Sequence, residues 1–202
     1  MKAHGQVFKN VGSVLPRRSV FDLSYSKLLT CDMGQLIPVM CDEVVPGDHF
    51  KIGNEVVIRF QPLVAPILHQ VNMYVHYFFV PYRILDEYWE EIITGGVNGN
   101  SVRVPSYWIP QDTDLTAGSL WDFLGFPIIG TNATYPRHSR PVLYPKRAYN
   151  MIYNEYYRDE TLQTKVDINL SNTILLRNWS KDYFTSALPW QQRGTAPAKP
   201  IS

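Results

Sequence analysis

The spacing of hydrophobic and polar residues changes character at Pro81. Between Asp32 and Phe60 the apolar positions come in short runs broken by turn formers, a pattern that predicts brief strands. Residues 35–40 read as one strand, Pro46-Gly47-Asp48 as a turn, and residues 49–52 and 55–60 as a tight hairpin around Gly53-Asn54. The clearest strand covers residues 71–80. Alternation places Val71, Met73, Val75, Tyr77 and Phe79 on one face and Asn72, Tyr74, His76, Phe78 and Val80 on the other. The second face turns apolar only near its end, so the strand runs from a half-exposed to a fully covered position. Pro81 has no N–H to give to a ladder and stops it.

Beyond Pro81 the period lengthens. Residues 85–94 carry Leu85, Tyr88, Trp89, Ile92 and Ile93 at helical spacing, with Gly95-Gly96 as the stop. Ser119-Leu120-Trp121-Asp122 resembles a capping box opening a very short helix that Gly125 ends. Pro145 stands where a first helical residue belongs, and residues 147–158 follow, with Tyr149, Ile152, Tyr153 and Tyr156 in a stripe. An aromatic stripe of this kind is a packing face. The connections are long and dense in Pro, Gly and Asn, which suits a β-sandwich whose loops have grown into surface structure better than a compact enzyme.

Composition narrows the classes further. A chain of 202 residues makes one domain or two small ones, and 19 Lys+Arg against 18 Asp+Glu, with 45% hydrophobic residues, excludes intrinsic disorder. No apolar run approaches the roughly 18–20 residues that span a bilayer, and no hydrophobic signal core follows the basic N-terminal residues. Cys31 and Cys41 are too few for a disulfide framework and lack zinc-site spacing; both are expected as buried thiols, with a single disulfide as the lesser alternative. Charge is uneven in one place. Lys2, Lys9, Arg17, Arg18 and Lys27 face a single acid, Asp22, within residues 1–27, a basic extended arm suited to phosphate contact, to solvent, or to packing on a neighbouring subunit.

Catalytic patterns are missing from the sequence. His69 and His76 are an odd number of residues apart, so one strand would point them to opposite sides. Asp112 and Asp114 lie in a loop with no nearby His, and Glu90-Glu91 and Asp159-Glu160 read as helix-surface acids. No GxSxG, HExxH, P-loop or GxGxxG motif occurs. The triplets at Asn132, Asn169 and Asn178 match the glycosylation acceptor by chance, and the lone Trp121-Asp122 has no propeller repeat behind it. No catalytic residue, metal ligand or cofactor is expected.

Several short blocks, modestly specific alone but present in order, then carry a resemblance. They are Arg18-Ser19-Val20-Phe21-Asp22-Leu23-Ser24, Thr30-Cys31-Asp32-Met33-Gly34, Val44-Val45-Pro46-Gly47-Asp48, Pro62-Leu63-Val64-Ala65-Pro66 and Phe78-Phe79-Val80-Pro81-Tyr82-Arg83. Arg147-Ala148-Tyr149-Asn150, Tyr156-Tyr157-Arg158-Asp159-Glu160 and the run from Asp182 to Trp190 complete the set. Over about residues 17–193 the chain resembles the major capsid protein of the Microviridae, small icosahedral bacterial viruses with circular single-stranded DNA, and within them the gokushovirus branch.

The resemblance implies a mainly β, viral jelly-roll sandwich with long loop and short-helix insertions, incomplete in this chain. Members are more than twice as long, so the chain is expected to be an N-terminal piece, a divided subunit or the traced part of a longer protein. The implied divisions are a basic arm at 1–30, jelly-roll strands at 31–81, a loop and helix insertion at 82–178, and a return segment at 179–202. Sixty copies would form a T=1 shell, with circular single-stranded DNA, a small basic packaging protein, an internal scaffolding protein and a host receptor as partners, and no membrane. The location would be the virion capsid, assembled in the bacterial cytoplasm. Lys2, Lys9, Arg17, Arg18 and Lys27 are then candidates for DNA contact. Tyr149, Tyr153, Tyr156, Trp179, Tyr183, Phe184 and Trp190 are candidates for subunit interfaces or packing. Two readings compete: a carbohydrate-binding β-sandwich using Trp89, Trp108, Trp121, Trp179 and Trp190 as sugar platforms, and a cupin-like enzyme, which needs a His/Glu cluster that the spacing does not supply.

Overall fold

A computed structural model describes residues 19–108, 116–128 and 140–187. From 19 to 80 the backbone is extended and contains no buried residue. The predicted turn is there: Asp48 donates its N–H to the carbonyl of Val45 (3.0 Å), with Pro46 and Gly47 between them. Gly47 has φ 92°, the left-handed value that the third residue of a type II turn requires and a Cβ disfavours. The Asp48 carboxylate closes the turn from the other side by accepting from Val45 N–H at 3.1 Å.

Among the described residues the extended pieces pair at only two isolated bridges, Gln35 with Leu176 and Tyr107 with Val142, both antiparallel. Residues 49–52 and 55–60 form no ladder, and Gly53 does not take the positive φ of a tight hairpin turn. A two-stranded hairpin with neither face covered is marginal on its own, which accounts for the open form. Cys31 and Cys41 are free and exposed, correcting the expectation of buried thiols, because no second layer lies over the segments that carry them.

Helices occur between Tyr82 and Tyr157: α1 (Tyr82–Leu85), α2 (Trp89–Thr94), α3 (Leu120–Phe123) and α4 (Tyr144–Ile152), the last continued by a π-helical turn at Tyr153–Tyr157. The helix expected over 85–94 is therefore divided. Asp86 breaks it, with extended φ −138° and ψ 117°. Its carboxylate accepts from Tyr88 N–H (3.1 Å) and from the Tyr144 hydroxyl (3.1 Å), so a local Asx bond competes with helix continuation. Gly95 ends α2 at φ 78°, as its sequence position predicts. The Ser119 cap of α3 forms, with Ser119 Oγ accepting from Asp122 N–H (3.3 Å), but the reciprocal bond is shifted by one residue: Asp122 Oδ2 accepts from Gly118 N–H (2.8 Å), and Ser119 N–H donates to Thr116 O.

α4 departs from the expected aromatic stripe. Its buried residues are Tyr144, Lys146 and Asn150, followed by Tyr153 and Asn154 in the π turn. The wider π turn changes the phase of the helix, leaving Tyr153 buried and Tyr156 70% exposed. The small apolar centre lies beside α4. Trp121 and Leu143 are buried there, with Trp108, Leu124 and Phe126 against them. The rings of Trp108 and Trp121 stack at 4.3 Å, and Phe126 meets Trp121 edge-on at 5.0 Å. A second aromatic group joins α1 and α2 to α4 through Tyr82–Trp89 (4.6 Å) and Tyr82–Tyr144 (4.9 Å).

Candidate assembly surface

The candidate residues fall into two populations. Tyr149 and Tyr153 face inward, and each spends its hydroxyl within the chain. Tyr153 donates to Gln163 Oε1 at 3.0 Å. The Tyr149 hydroxyl donates to the carbonyl of Leu36 (2.8 Å) and accepts from Leu175 N–H (2.8 Å). These two groups flank the Gln35–Leu176 bridge, where Leu36 N–H already donates to Leu175 O at 2.9 Å. In an unbroken antiparallel ladder the Leu175 N–H would bond Leu36 O directly. The phenol is inserted into that position, and burial pushes its pKa up to about 12.

Tyr156, Trp179, Tyr183 and Phe184 face outward, at 70, 97, 88 and 85% exposure. The last two sit on a fixed turn. Asp182 Oδ1 accepts from Phe184 N–H (2.9 Å) and Thr185 N–H (2.7 Å), and Ser186 N–H donates to Asp182 O at 3.0 Å. Bonding to Thr185 N–H and to the Thr185 side chain holds the Asp182 carboxyl below its ordinary pKa, so the turn is kept by a carboxylate. Tyr183 and Phe184 meet edge-on at 5.5 Å above it. Two adjacent aromatic side chains are thereby held out to solvent by a capped turn.

Lys27 is the described member of the basic set. Its ammonium donates to the carbonyls of Phe123 (2.5 Å) and Pro38 (3.4 Å), tying the arm to the end of α3. Burial lowers its pKa from the ordinary lysine value. Lys2, Lys9, Arg17, Arg18, Trp190, Asp112, Asp114 and the triplet at Asn132 lie outside the described residues. Asp159 is no plain surface acid. It caps a turn by accepting from Thr161 N–H (2.9 Å), it pairs with Lys181 (3.3 Å), and these partners lower its pKa. The described tryptophans share no platform: Trp121 is fully buried, Trp108 stacks on it, Trp89 packs on Tyr82 and Tyr144, and Trp179 stands exposed by itself.

Sequence reasoning missed a polar spine along α4 and the π turn. Lys146, Asn150 and Asn154 recur every four residues and are all buried. Lys146 Nζ donates to Asn169 O (2.5 Å) and Asn172 Oδ1 (2.8 Å). Asn150 Nδ2 donates to the carbonyls of Ile168 (3.2 Å) and Ser171 (3.1 Å). Asn154 donates to Val166 O and accepts from Val166 N–H, both at 2.8 Å. One helix face thereby satisfies the backbone of residues 166–171, which has no ladder of its own. Arg147 adds a bond to Leu85 O (3.0 Å) and a contact with the Asp86 carboxylate (3.6 Å), joining α1 to α4. The four-residue polar period was the available signal, hidden because polar residues on a helix ordinarily face solvent.

Comparison with known proteins gives this arrangement its context. A family model described as Capsid protein (F protein) matches residues 9–202, and the chain belongs to that family. It is 37% identical over 218 residues to the Capsid protein VP1 of Chlamydia phage 1, covering 93% of this chain and 36% of that protein. It is 32% identical to the Capsid protein VP1 of Bdellovibrio phage phiMH2K, over 96% of this chain and 37% of the relative. Identity to the Capsid protein VP1 of Spiroplasma virus 4 is 26%, over 91% of this chain and 36% of the relative. The chain thus spans little more than a third of the length of the relatives it matches.

Proposed function

We propose that this chain supplies the N-terminal part of the major capsid protein of a small single-stranded DNA bacteriophage, sixty copies of which close a T=1 shell around a circular genome. The observation that carries the reading is the capsid-family match running from residue 9 to residue 202. The described surface supports it. Phe21, Leu28, Val57, Val64, Leu68 and Phe79 are 74–109% exposed within a segment that makes almost no internal ladder. A shell subunit leaves such surface for other strands of its own jelly roll and for neighbours around the symmetry axes. In this reading the sandwich is completed by sequence beyond this chain, and the turn at Asp182 offers Tyr183 and Phe184 to an adjacent copy.

The basic residues Lys2, Lys9, Arg17 and Arg18 would face the packaged DNA or a small basic packaging protein. An internal scaffolding protein would guide closure in the host cytoplasm, and a host receptor would meet the outer face. Light scattering of native particles, with absorbance at 260 and 280 nm across the same peak, tests the central claim. A megadalton species with excess 260 nm absorbance is expected. A subunit that stays monomeric and free of nucleic acid in its native source would overturn it.

A further inference from the structure

Residues 19–33 reach the rest of the chain without a ladder. Among the described residues, the first backbone bond to a remote partner, Arg177 N–H to Gly34 O at 2.7 Å, comes only after them. The polar contacts that hold this stretch to the body run instead from side chains to carbonyls. The Tyr25 hydroxyl donates to Val39 O at 3.1 Å, and the Lys27 ammonium donates to Pro38 O at 3.4 Å and to Phe123 O at 2.5 Å. The two acceptors of Lys27 lie 11 and 96 residues away in sequence, so one side chain ties the arm to two separate parts of the molecule. The Phe123 carbonyl explains why a cation belongs there. The last carbonyls of an α-helix have no partner within it. In α3 those of Leu120, Trp121 and Asp122 accept from the N–H groups of Leu124, Phe126 and Gly125. Phe123 is only 6% exposed, and the donor that its carbonyl receives is Lys27. A lysine ammonium suits a helix end because its charge strengthens the bond to the carbonyl, and the Asp122 carboxylate nearby favours the charged form.

We propose that Lys27 is the anchor of the basic arm: it straps residues 25–27 across Pro38 and the end of α3 of its own chain, so that the arm leaves the body at one fixed point. The strap depends on side chains, since no backbone pairing holds residues 19–33 to the body, and removing the ammonium therefore releases it. Lys27 is in this way a positioning residue, set apart from Lys2, Lys9, Arg17 and Arg18. Its N–H groups are already given to two carbonyls, so it contributes the place from which the arm departs and not a phosphate contact. The anchor stands on geometry within one chain, and only the contrast with the other basic residues rests on the capsid reading.

Electron–electron double resonance on the full chain tests the anchor. Cys31 and Cys41 are replaced by Ser, and spin labels are attached at Leu28→Cys and Ala117→Cys, both on exposed positions. A narrow distance distribution is expected. Lys27→Met should broaden it severalfold, and Lys27→Arg, which keeps the charge and the donors, should restore most of the narrowing. A distribution as narrow in Lys27→Met as in the parent chain would overturn the anchor. Should Lys27→Met fail to fold, the ammonium itself is read by nitrogen-15 resonance of lysine Nζ in the unaltered chain, with the Lys27 signal assigned by its loss in Lys27→Arg. Slow proton exchange at that signal is expected, and exchange as fast as in the urea-unfolded chain would sink the proposal. Salt titration of oligodeoxynucleotide binding separates anchor from phosphate contact. Lys27→Met should leave the slope unchanged, whereas Lys9→Gln should lower it by about one contact. A slope that falls with Lys27→Met would put the ammonium on a phosphate and overturn the anchor with the capsid reading intact. Particles without nucleic acid would sink the capsid reading instead, and the spin-label distances would still decide the anchor.

Discussion

At Tyr149 a single oxygen serves two backbone groups that would otherwise have to meet each other. The phenol donates to Leu36 O and accepts from Leu175 N–H, so it joins α4 to two segments remote from it in sequence. Replacing it by Phe leaves a half-buried donor and a half-buried acceptor without that partner, at a cost of about 1 kcal/mol per lost bond. Tyr149→Phe is therefore expected to lower the denaturant midpoint without changing the slope. The same side chain sets an alkaline limit. Its pKa is raised by burial to about 12, as is that of Tyr144, from an ordinary value of 10, so folding favours the protonated phenol. The associated stability is complete below pH 10 and is lost as pH rises toward 12. Phenolate absorbance followed through an alkaline titration should show tyrosine ionisation coinciding with unfolding. Tyr149→Phe, less stable at neutral pH, should lose less between pH 10 and 12.

At the scale of elements, α4 works as a polar hook. A buried helix face normally holds apolar side chains, yet here Lys146, Asn150 and Asn154 bind the backbone of an irregular segment that supplies no ladder. Asn150→Leu keeps the volume close and removes the donor to Ile168 O and Ser171 O, two half-buried carbonyls, for a loss of roughly 1 kcal/mol per bond. Hydrogen exchange should show residues 166–172 losing protection first, before α4 itself, whereas a merely space-filling role for Asn150 would leave their order unchanged. Local signals wrote much of this into the sequence: the Pro46-Gly47 turn, the Ser119 cap, and the Gly95 stop each depend on residues within four positions. The division of the helix at Asp86 was only half legible: its carboxylate takes a local bond from Tyr88 N–H, but the second bond comes from the Tyr144 hydroxyl, 58 residues away. The polar spine was hidden for the same reason: nothing near Lys146 announces that Asn169 and Asn172 will reach it.

Across the whole molecule, order is unevenly spread. The described residues that are buried all fall between Leu85 and Asn154, while 19–80 is extended and apolar yet uncovered. Burying a side chain such as Phe79 or Leu68 is worth about 1.5–3 kcal/mol, so the long exposed run represents a large reserve of association energy that the isolated chain leaves unused. Backbone groups tell the same story, since residues 49–80 make no backbone ladder in which their amides would be shielded. If the shell supplies the missing strands, the two halves should respond differently to assembly. In the isolated chain, amides of 49–80 are expected to exchange near intrinsic rates while those of Tyr144–Ile152 are protected. In native particles the first group should slow by several orders of magnitude and the second should change little, because its hydrogen bonds already exist within one chain. Fast exchange at 49–80 in intact particles would mean that these residues remain uncovered after assembly. The apolar surface would then need an explanation other than subunit contact.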